Sequence, residues 1–357
     1  MPSAGTPVPA EGWTRRRLPS GSHGGDGHVL RLRTPETGTV EIVDEVRGVV
    51  SFPAADMDDF VLQRRDGRPT YNFAVVVDDV TMDITHVIRG AGHLSNTPKQ
   101  ALVFDAMERP RPVFVHLPNV LAPDGGKLSK RHGATGVGEL RDAGMLPDAI
   151  VNYLSLLGWS HPEEKEILSV EELVASVDLD RIRASEMSYD PEKLRWVAAQ
   201  HMAALTLAEV VAGVAPFVDR ERFPLDDVSL PPAVEAIRSR LATFGEVNQH
   251  LVFAYPAEGA AWDALREEIR KDPGARDVLV AARETLSGLE EWTRDGIRVA
   301  LKEAGNRVGA RGPGLFHPLR KAICASESGP DLGGVAAAVG RDEVLRRLDA
   351  AMVPGSV

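Results

Sequence analysis

Asp124-Gly125-Gly126-Lys127-Leu128-Ser129-Lys130-Arg131-His132-Gly133 decides how this chain is read. Lys127, Lys130 and Arg131 put three cations close together, behind two glycines that let a loop fold tightly over a ligand. The preceding run, Val113-Phe114-Val115-His116-Leu117-Pro118-Asn119-Val120-Leu121, is apolar enough to predict a buried strand. Open α/β sheets bind ligands at the carboxyl ends of their strands, so a basic loop there is a place to hold phosphates. Alone, so short a motif would read as a solvated basic turn. Its surroundings decide.

Upstream, Phe73-Ala74-Val75-Val76-Val77 is a continuous apolar run closed by Asp78 and Asp79. It predicts a strand buried on both faces, as in a parallel sheet. Ile84-Thr85-His86-Val87-Ile88 predicts a second strand. Asn96 or Thr97 can cap a helix with Pro98 at its first position, running to about Met107. Strand, helix, strand and basic loop make half of a doubly wound sheet. Still earlier, residues 29–60 alternate apolar and polar side chains between turn signals at Pro35 and Gly38. That pattern predicts a small antiparallel sheet with one solvated face. Residues 1–28 carry Gly, Ser, Pro and Arg without any period and read as a disordered arm, Arg15 to Arg17 being a solvated basic cluster.

Downstream the chain turns helical. A helix over Pro147–Leu157 is expected to bury Ile150, Val151, Leu154 and Leu157. Ser169-Val170-Glu171-Glu172 is a capping box. Asp190 caps a further helix, with Pro191 first and Leu194, Val197 and Met202 facing inward. Beyond residue 203 only amphipathic helices follow, with loops expected at Pro224–Pro232 and Gly305–Pro318. Their charges, Arg294, Arg298, Lys302, Arg307, Arg311, Arg320 and Lys321, are mainly basic.

Composition narrows the classes. At 357 residues the chain can hold two or three domains. A single cysteine, Cys324, excludes an internal disulfide and a cysteine-rich zinc site, and fits a reducing cytoplasm. No apolar run reaches membrane-spanning length. A net charge of −11 excludes a general nucleic-acid coat but allows a local basic face.

Read together, the motifs resemble the glutamyl-tRNA synthetases, class I aminoacyl-tRNA synthetases. The KLSKR form of their signature loop stands at Lys127–Arg131. Tyr71–Asp79, Thr85–Gly90, His93–Pro98, Asn152–Trp159, Asp190–Trp196 and Leu315–Arg320 follow the family pattern in order. The resemblance implies an α/β fold followed by an all-α part. Residues 29–137 would be the C-terminal half of a doubly wound nucleotide-binding domain, 138–202 a helical stem-contact region and 203–357 a helical anticodon-binding domain. It implies ATP-dependent attachment of glutamate to tRNA, with ATP, accompanying Mg2+, glutamate and tRNA-Glu as ligands. Lys130 and Lys127 would act on the ATP phosphates, with Ser129, Arg131 and His93 also at the nucleotide. Arg89 would bind the glutamate carboxylate, since a planar guanidinium takes a carboxylate in bidentate fashion, with Tyr71 as a neighbouring donor.

Two departures shape the expectation. Ala91 and Gly92 stand where the family carries acidic residues. The family's opening strand and histidine-containing phosphate turn have no counterpart among the ten histidines. Three readings follow: half of a split or truncated ligase that a second chain completes, a non-catalytic tRNA-binding or regulatory protein, or a gene remnant. On the first, the chain alone is expected to form no aminoacyl-adenylate, and the Phe73–Val77 strand to expose an apolar edge that pairs with another chain.

Overall fold

The computed structural model describes residues 29–126, 128, 136–252, 254, 260–326 and 328–353. The arm of residues 1–28 and most of the basic loop lie outside them. In chain order the elements begin β1 (Leu30–Leu32), β2 (Thr39–Asp44), β3 (Gly48–Pro53), β4 (Phe60–Gln63), α1 (Tyr71–Thr81), β5 (His86–Gly90) and α2 (Thr97–Ala106). There follow β6 (Val113–Leu117), β7 (Val120–Leu121), α3 (Val137–Asp142), α4 (Pro147–Leu156), α5 (Val170–Ser176), β8 (Met187–Ser188) and α6 (Pro191–Ala204). The rest is helical: α7 (Leu207–Val214), α8 (Leu230–Ile237), α9 (Val247–Leu251), α10 (Ala260–Lys271), α11 (Pro273–Ser287), α12 (Arg294–Val308), α13 (Pro313–Cys324), α14 (Leu332–Val339) and α15 (Arg341–Met352). This is the expected α/β part followed by an all-α part. Two compact units result: Met1–Ala134 with Leu154–Asp190, and Thr135–Tyr153 with Pro191–Val357. Residues 138–202 are thus shared between them.

In the first unit a four-stranded sheet runs in the order β3-β2-β6-β5. β5 and β6 pair in parallel over five residues, from His86 opposite Val113 to Gly90 opposite Leu117. β2 and β3 form the expected antiparallel hairpin. It is not a sheet of its own, however, because β2 joins β6 in parallel through Asp44 opposite Phe114. Only β1 and β4 make a separate antiparallel pair. The long apolar run breaks at Pro118, which has no N–H to continue a ladder. Val120–Leu121 then pairs with Met187–Ser188 instead.

The expected strand at Phe73–Val77 is a correction: these residues lie inside the helix α1. A short apolar run cannot be told from a buried helical segment by periodicity. No glycine or proline interrupts Tyr71–Thr81, and at helical spacing Phe73, Val76 and Val80 share one face. Val76 is fully buried, and Phe73, Val75 and Val80 pack around the same core as Ala101–Phe104 of α2 and Phe114 of β6. Each such side chain, fully buried, contributes roughly 1.5–3 kcal/mol. The apolar edge expected at Phe73–Val77 therefore does not exist there; β3 and β5 are the edge strands.

α6 begins at Pro191 as expected, whereas α2 begins at Thr97 with Pro98 second, and the Asn96 side chain at its cap position makes no capping hydrogen bond. The Ser169–Glu172 capping box is formed, with Glu172 N–H donating to Ser169 Oγ at 3.1 Å and Ser169 N–H to Glu172 Oε2 at 2.9 Å. The buried face of α4 differs from expectation: Ala149, Ile150, Asn152 and Tyr153 point inward, whereas Val151 and Leu154 are exposed.

The second unit packs its helices around one continuous apolar cluster, from Met202 and Val210 to Leu348 and Ala351. Leu194, Val197 and Met202 of α6 are buried, as expected. The loops anticipated from proline and glycine are shorter than expected. Pro231 and Pro232 occupy the first turn of α8, and Pro313 the first position of α13. Proline is at home at a helix start because the N–H it lacks would be unpaired there anyway. Only residues 309–312 break the chain between α12 and α13, with Gly309 and Gly312 at positive φ. Gly305, inside α12, lets the following segment close in: a Cβ there would lie 2.7 Å from both Ala310 O and Leu315 Cδ2.

Candidate functional site

Arg89, next to last in β5, points into a buried polar network that no single motif announces. Its Nε–H donates to His116 Nε2 at 3.2 Å. Its Nη2 donates to Thr97 Oγ1 at 2.8 Å and to Gln100 Oε1 at 2.7 Å. Gln100 Nε2 in turn donates to Asn72 Oδ1 at 3.0 Å, so the first turn of α1 is tied to the first turn of α2. Thr97, Gln100 and His116 are all buried.

Behind His116 stands Asp44, also buried, at the end of β2. Its Oδ2 lies 2.5 Å from His116 Nδ1 and accepts the His116 backbone N–H at 3.1 Å. Its Oδ1 accepts the N–H groups of Val46 and Arg47, both at 3.0 Å. A carboxylate can only accept, so His116 carries a proton on Nδ1. Nε2 is then an acceptor whose single lone pair is shared by Arg89 Nε–H and Thr97 Oγ1 at 2.9 Å, a hydroxyl that also lies 3.3 Å from the His93 carbonyl. Burial pushes the imidazole pKa below its ordinary value; Asp44 opposes this, while Arg89 and Arg47 reinforce it. The ring is therefore neutral at pH 7.

Among the described residues, Arg89 has no direct carboxylate partner. Its pKa is lowered, chiefly by burial, with Tyr71, Asp79 and Asp44 opposing in decreasing order. Burial also raises Asp79, with Arg89 acting against it. A half-buried guanidinium without an ion pair is costly unless an anion completes it. Tyr71, half exposed at the start of α1, lies beside the guanidinium and places its hydroxyl 3.3 Å from His93 Nδ1. Next to His93, a Cβ at Gly92 would meet nothing within 4 Å, so the space is open.

The structure thus brings Arg89, Tyr71 and His93 together. Lys127, Ser129, Lys130 and Arg131 lie outside the described residues, but the turn that launches their loop is described. Gly125 adopts φ +78°, a conformation that favours glycine, and Gly126 N–H donates to Asp124 Oδ1 at 2.9 Å. Asp44, Gln100 and His116 have no site role in the sequence reading, and Thr97 enters it only as a possible helix cap. One signal was available for Asp44: along β2 the inward positions read Val40, Ile42, Asp44, a carboxylate on an otherwise apolar face. His116 is likewise a polar residue within a buried strand.

In the helical unit most of the basic side chains are already paired. Arg294 reaches Asp331 at 2.9 Å, Arg307 reaches Glu303 at 2.8 Å and Lys321 reaches Glu268 at 2.8 Å. Arg298 lies 3.7 Å from Asp295 and 3.8 Å from Asp331. Among the described residues, Lys302 and Arg311 are exposed cations without an ion pair.

Comparison with known proteins agrees with this architecture. Residues 13–196 match the catalytic domain of the class I tRNA synthetases (E and Q), and residues 202–352 match an anticodon binding domain. The catalytic match reaches back into the stretch read as an arm. The chain belongs to the class I tRNA synthetases of the E and Q group. More narrowly, it is similar to glutamate–tRNA ligases. That of Desulforudis audaxviator is 42% identical over 332 residues, covering 90% of this chain and 66% of the relative. That of Nitratidesulfovibrio vulgaris is 40% identical over 329 residues, covering 92% and 71%. The crystal structure of a glutamate tRNA ligase from Elizabethkingia meningosepticum, in complex with its amino acid, superposes with a TM-score of 0.80 at 26% identity, covering 91% of this chain and 68% of that one. The chain spans about two thirds of the length of these relatives.

Proposed function

We propose that this chain binds L-glutamate at Arg89 and takes part in its ATP-dependent attachment to tRNA. The observation that carries the reading is Arg89 itself: a half-buried guanidinium, fixed at Nε and Nη2, with no carboxylate partner among the described residues. An incoming carboxylate would supply the missing charge, and Tyr71 a further donor. Lys130 and Lys127, assisted by Ser129, Arg131 and His93, would hold the ATP phosphates. A lysine on a loop is a point charge able to close on a polyanion. Residues 29–137 would form the catalytic part, 138–202 a stem-contact region and 203–357 the part that meets the anticodon. Among the described residues no cluster of three His, Cys, Asp or Glu side chains could hold a metal. Mg2+ would come with ATP, on its phosphates, as is common for this ion.

Calorimetric titration of the purified chain tests the amino-acid site. Glutamate should bind and glutamine at least tenfold more weakly. Arg89→Ala should weaken glutamate about a hundredfold, the loss of a paired, charge-assisted contact of about 2.7 kcal/mol. No glutamate binding, with or without ATP and tRNA, would remove the reading. A second reading, tRNA binding without catalysis, draws support from the open space at Gly92. ATP–pyrophosphate exchange dependent on glutamate separates the two: exchange supports the ligase, and its absence beside intact tRNA binding supports the binding protein.

A further inference from the structure

We propose that Asp44 and His116 are positioning residues for Arg89: the carboxylate fixes the imidazole proton on Nδ1, and the bare Nε2 holds the guanidinium by its Nε–H, leaving Nη1 for the ligand. This rests on the reading of Arg89 as the glutamate site and adds how that arginine is aimed and kept charged.

A guanidinium has five N–H donors in a rigid fork. Three are consumed on the inner side, one by His116, one by Thr97 and one by Gln100. Nη1 makes no hydrogen bond of this kind among the described residues; with Tyr71 beside the guanidinium, it is the corner left for a ligand, so the bidentate grip expected from sequence is reduced to this one nitrogen. Removing the Nε contact would free the fork to rotate about its stem.

The imidazole matters in a second way. Had Asp44 bonded Arg89 directly, the pair would be a buried ion pair and the arginine a poor anion receptor. The neutral ring is a spacer. It fixes the guanidinium geometrically but keeps the carboxylate on the far side, where Asp44 has the least effect of the groups that support the charge on Arg89. The arrangement is self-consistent only with a neutral ring. The charged groups facing it are Asp44 from β2, Arg47 from the turn after β2, whose Nε lies 3.3 Å from the His116 carbonyl, and Arg89 from β5. A proton on Nε2 would point at the guanidinium and break the contact. Asp44 prevents this by taking the proton to Nδ1. It also anchors the turn through Val46 and Arg47, so His116 is the cleaner position to test.

The experiment uses the full chain, with L-glutamate as the probe. Nitrogen-15 NMR of the His116 ring should show Nδ1 protonated and Nε2 bare at pH 7, with a scalar coupling from Nε2 to Arg89 Nε. His116→Leu removes the acceptor at similar volume, and His116→Gln keeps an acceptor there. With folding verified by thermal melting, calorimetry should show His116→Leu at least tenfold weaker for glutamate, and His116→Gln within about threefold of the parent. A purely structural role would lower both melting temperatures and leave affinity unchanged in the folded protein. A protonated Nε2, or a folded His116→Leu that binds like the parent, overturns this inference alone. Should His116→Leu not fold, the NMR coupling in the parent and the His116→Gln affinity decide. A parent with the bare Nε2 that takes no glutamate overturns the functional reading instead.

Discussion

The two units bury different things. In the α/β unit a modest apolar core lies beside a buried cluster of Asp44, Thr97, Gln100 and His116, gathered around one arginine. In the helical unit the core is large and apolar. Its buried charge, Arg347, is answered by the Ile323 carbonyl at 2.7 Å, the Ala254 carbonyl at 3.0 Å and Glu343 at 2.7 Å. Arg347 is held shut, with Nε, Nη1 and Nη2 all bonded within the unit. Arg89 is held half open. One buried and one half-buried guanidinium in the same chain thus show how local satisfaction separates a structural charge from one available to a ligand.

This contrast can be broken by experiment. The largest effect should come from the helical core. Leu301→Ala, at a fully buried position, should cost about 3–4 kcal/mol in urea unfolding of that unit and leave glutamate affinity unchanged. A loss below about 1 kcal/mol would show that packing there is looser than burial implies. Next comes Arg347→Met. It leaves two buried carbonyls without a donor and should cost about 2–3 kcal/mol, again without touching glutamate binding. In the α/β unit Gln100→Leu takes a partner from both Arg89 and Asn72. About 1–2 kcal/mol of stability should be lost. Glutamate affinity should fall several-fold as well, and a calorimetric affinity equal to the parent's would detach the network from the ligand.

The smallest effect concerns pH. Arg346 foremost, then Arg347, holds the Glu343 carboxyl down at about 2, with burial opposing. A depressed folded pKa means stability that is present above the unfolded value of about 4.5 and lost as pH falls towards 2. The site is partly exposed, so screening limits the effect to about 1 kcal/mol or less. Urea midpoints at pH 7 and pH 3 should differ less in Glu343→Gln than in the parent; equal differences would assign the acid sensitivity elsewhere.

Much of the architecture could be read from one-dimensional signals. The Ser169–Glu172 box, Pro98 and Pro191 near helix starts and the alternation along β2 are local patterns with local causes, and they appear where expected. The failures were local patterns with two solutions. Phe73–Val77 suits a buried strand as well as a helix face, and packing against α2 decides for the helix. Val151 and Leu154 are apolar yet exposed, because the inward face of α4 is set by Asn152 and Tyr153. For the basic residues beyond 290 the sequence records only the charges; pairing is partly local, as Arg307 with Glu303, and partly with distant positions such as Asp331 and Glu268.

From its sequence alone the chain disclosed its family, its α/β-then-helical order, and Arg89, Tyr71 and His93 as candidate residues. Those conclusions depend on residue types at fixed spacing, which a linear string records. The tertiary structure alone decided what Arg89 is attached to. Asp44 and His116 lie 72 positions apart, and Arg89 and His116 27 apart. They meet because parallel pairing sets Arg89 opposite His116, and β2 touches β6 at Asp44. Parallel strands are joined by long crossovers, so the residues they juxtapose have no short spacing by which a sequence could announce them.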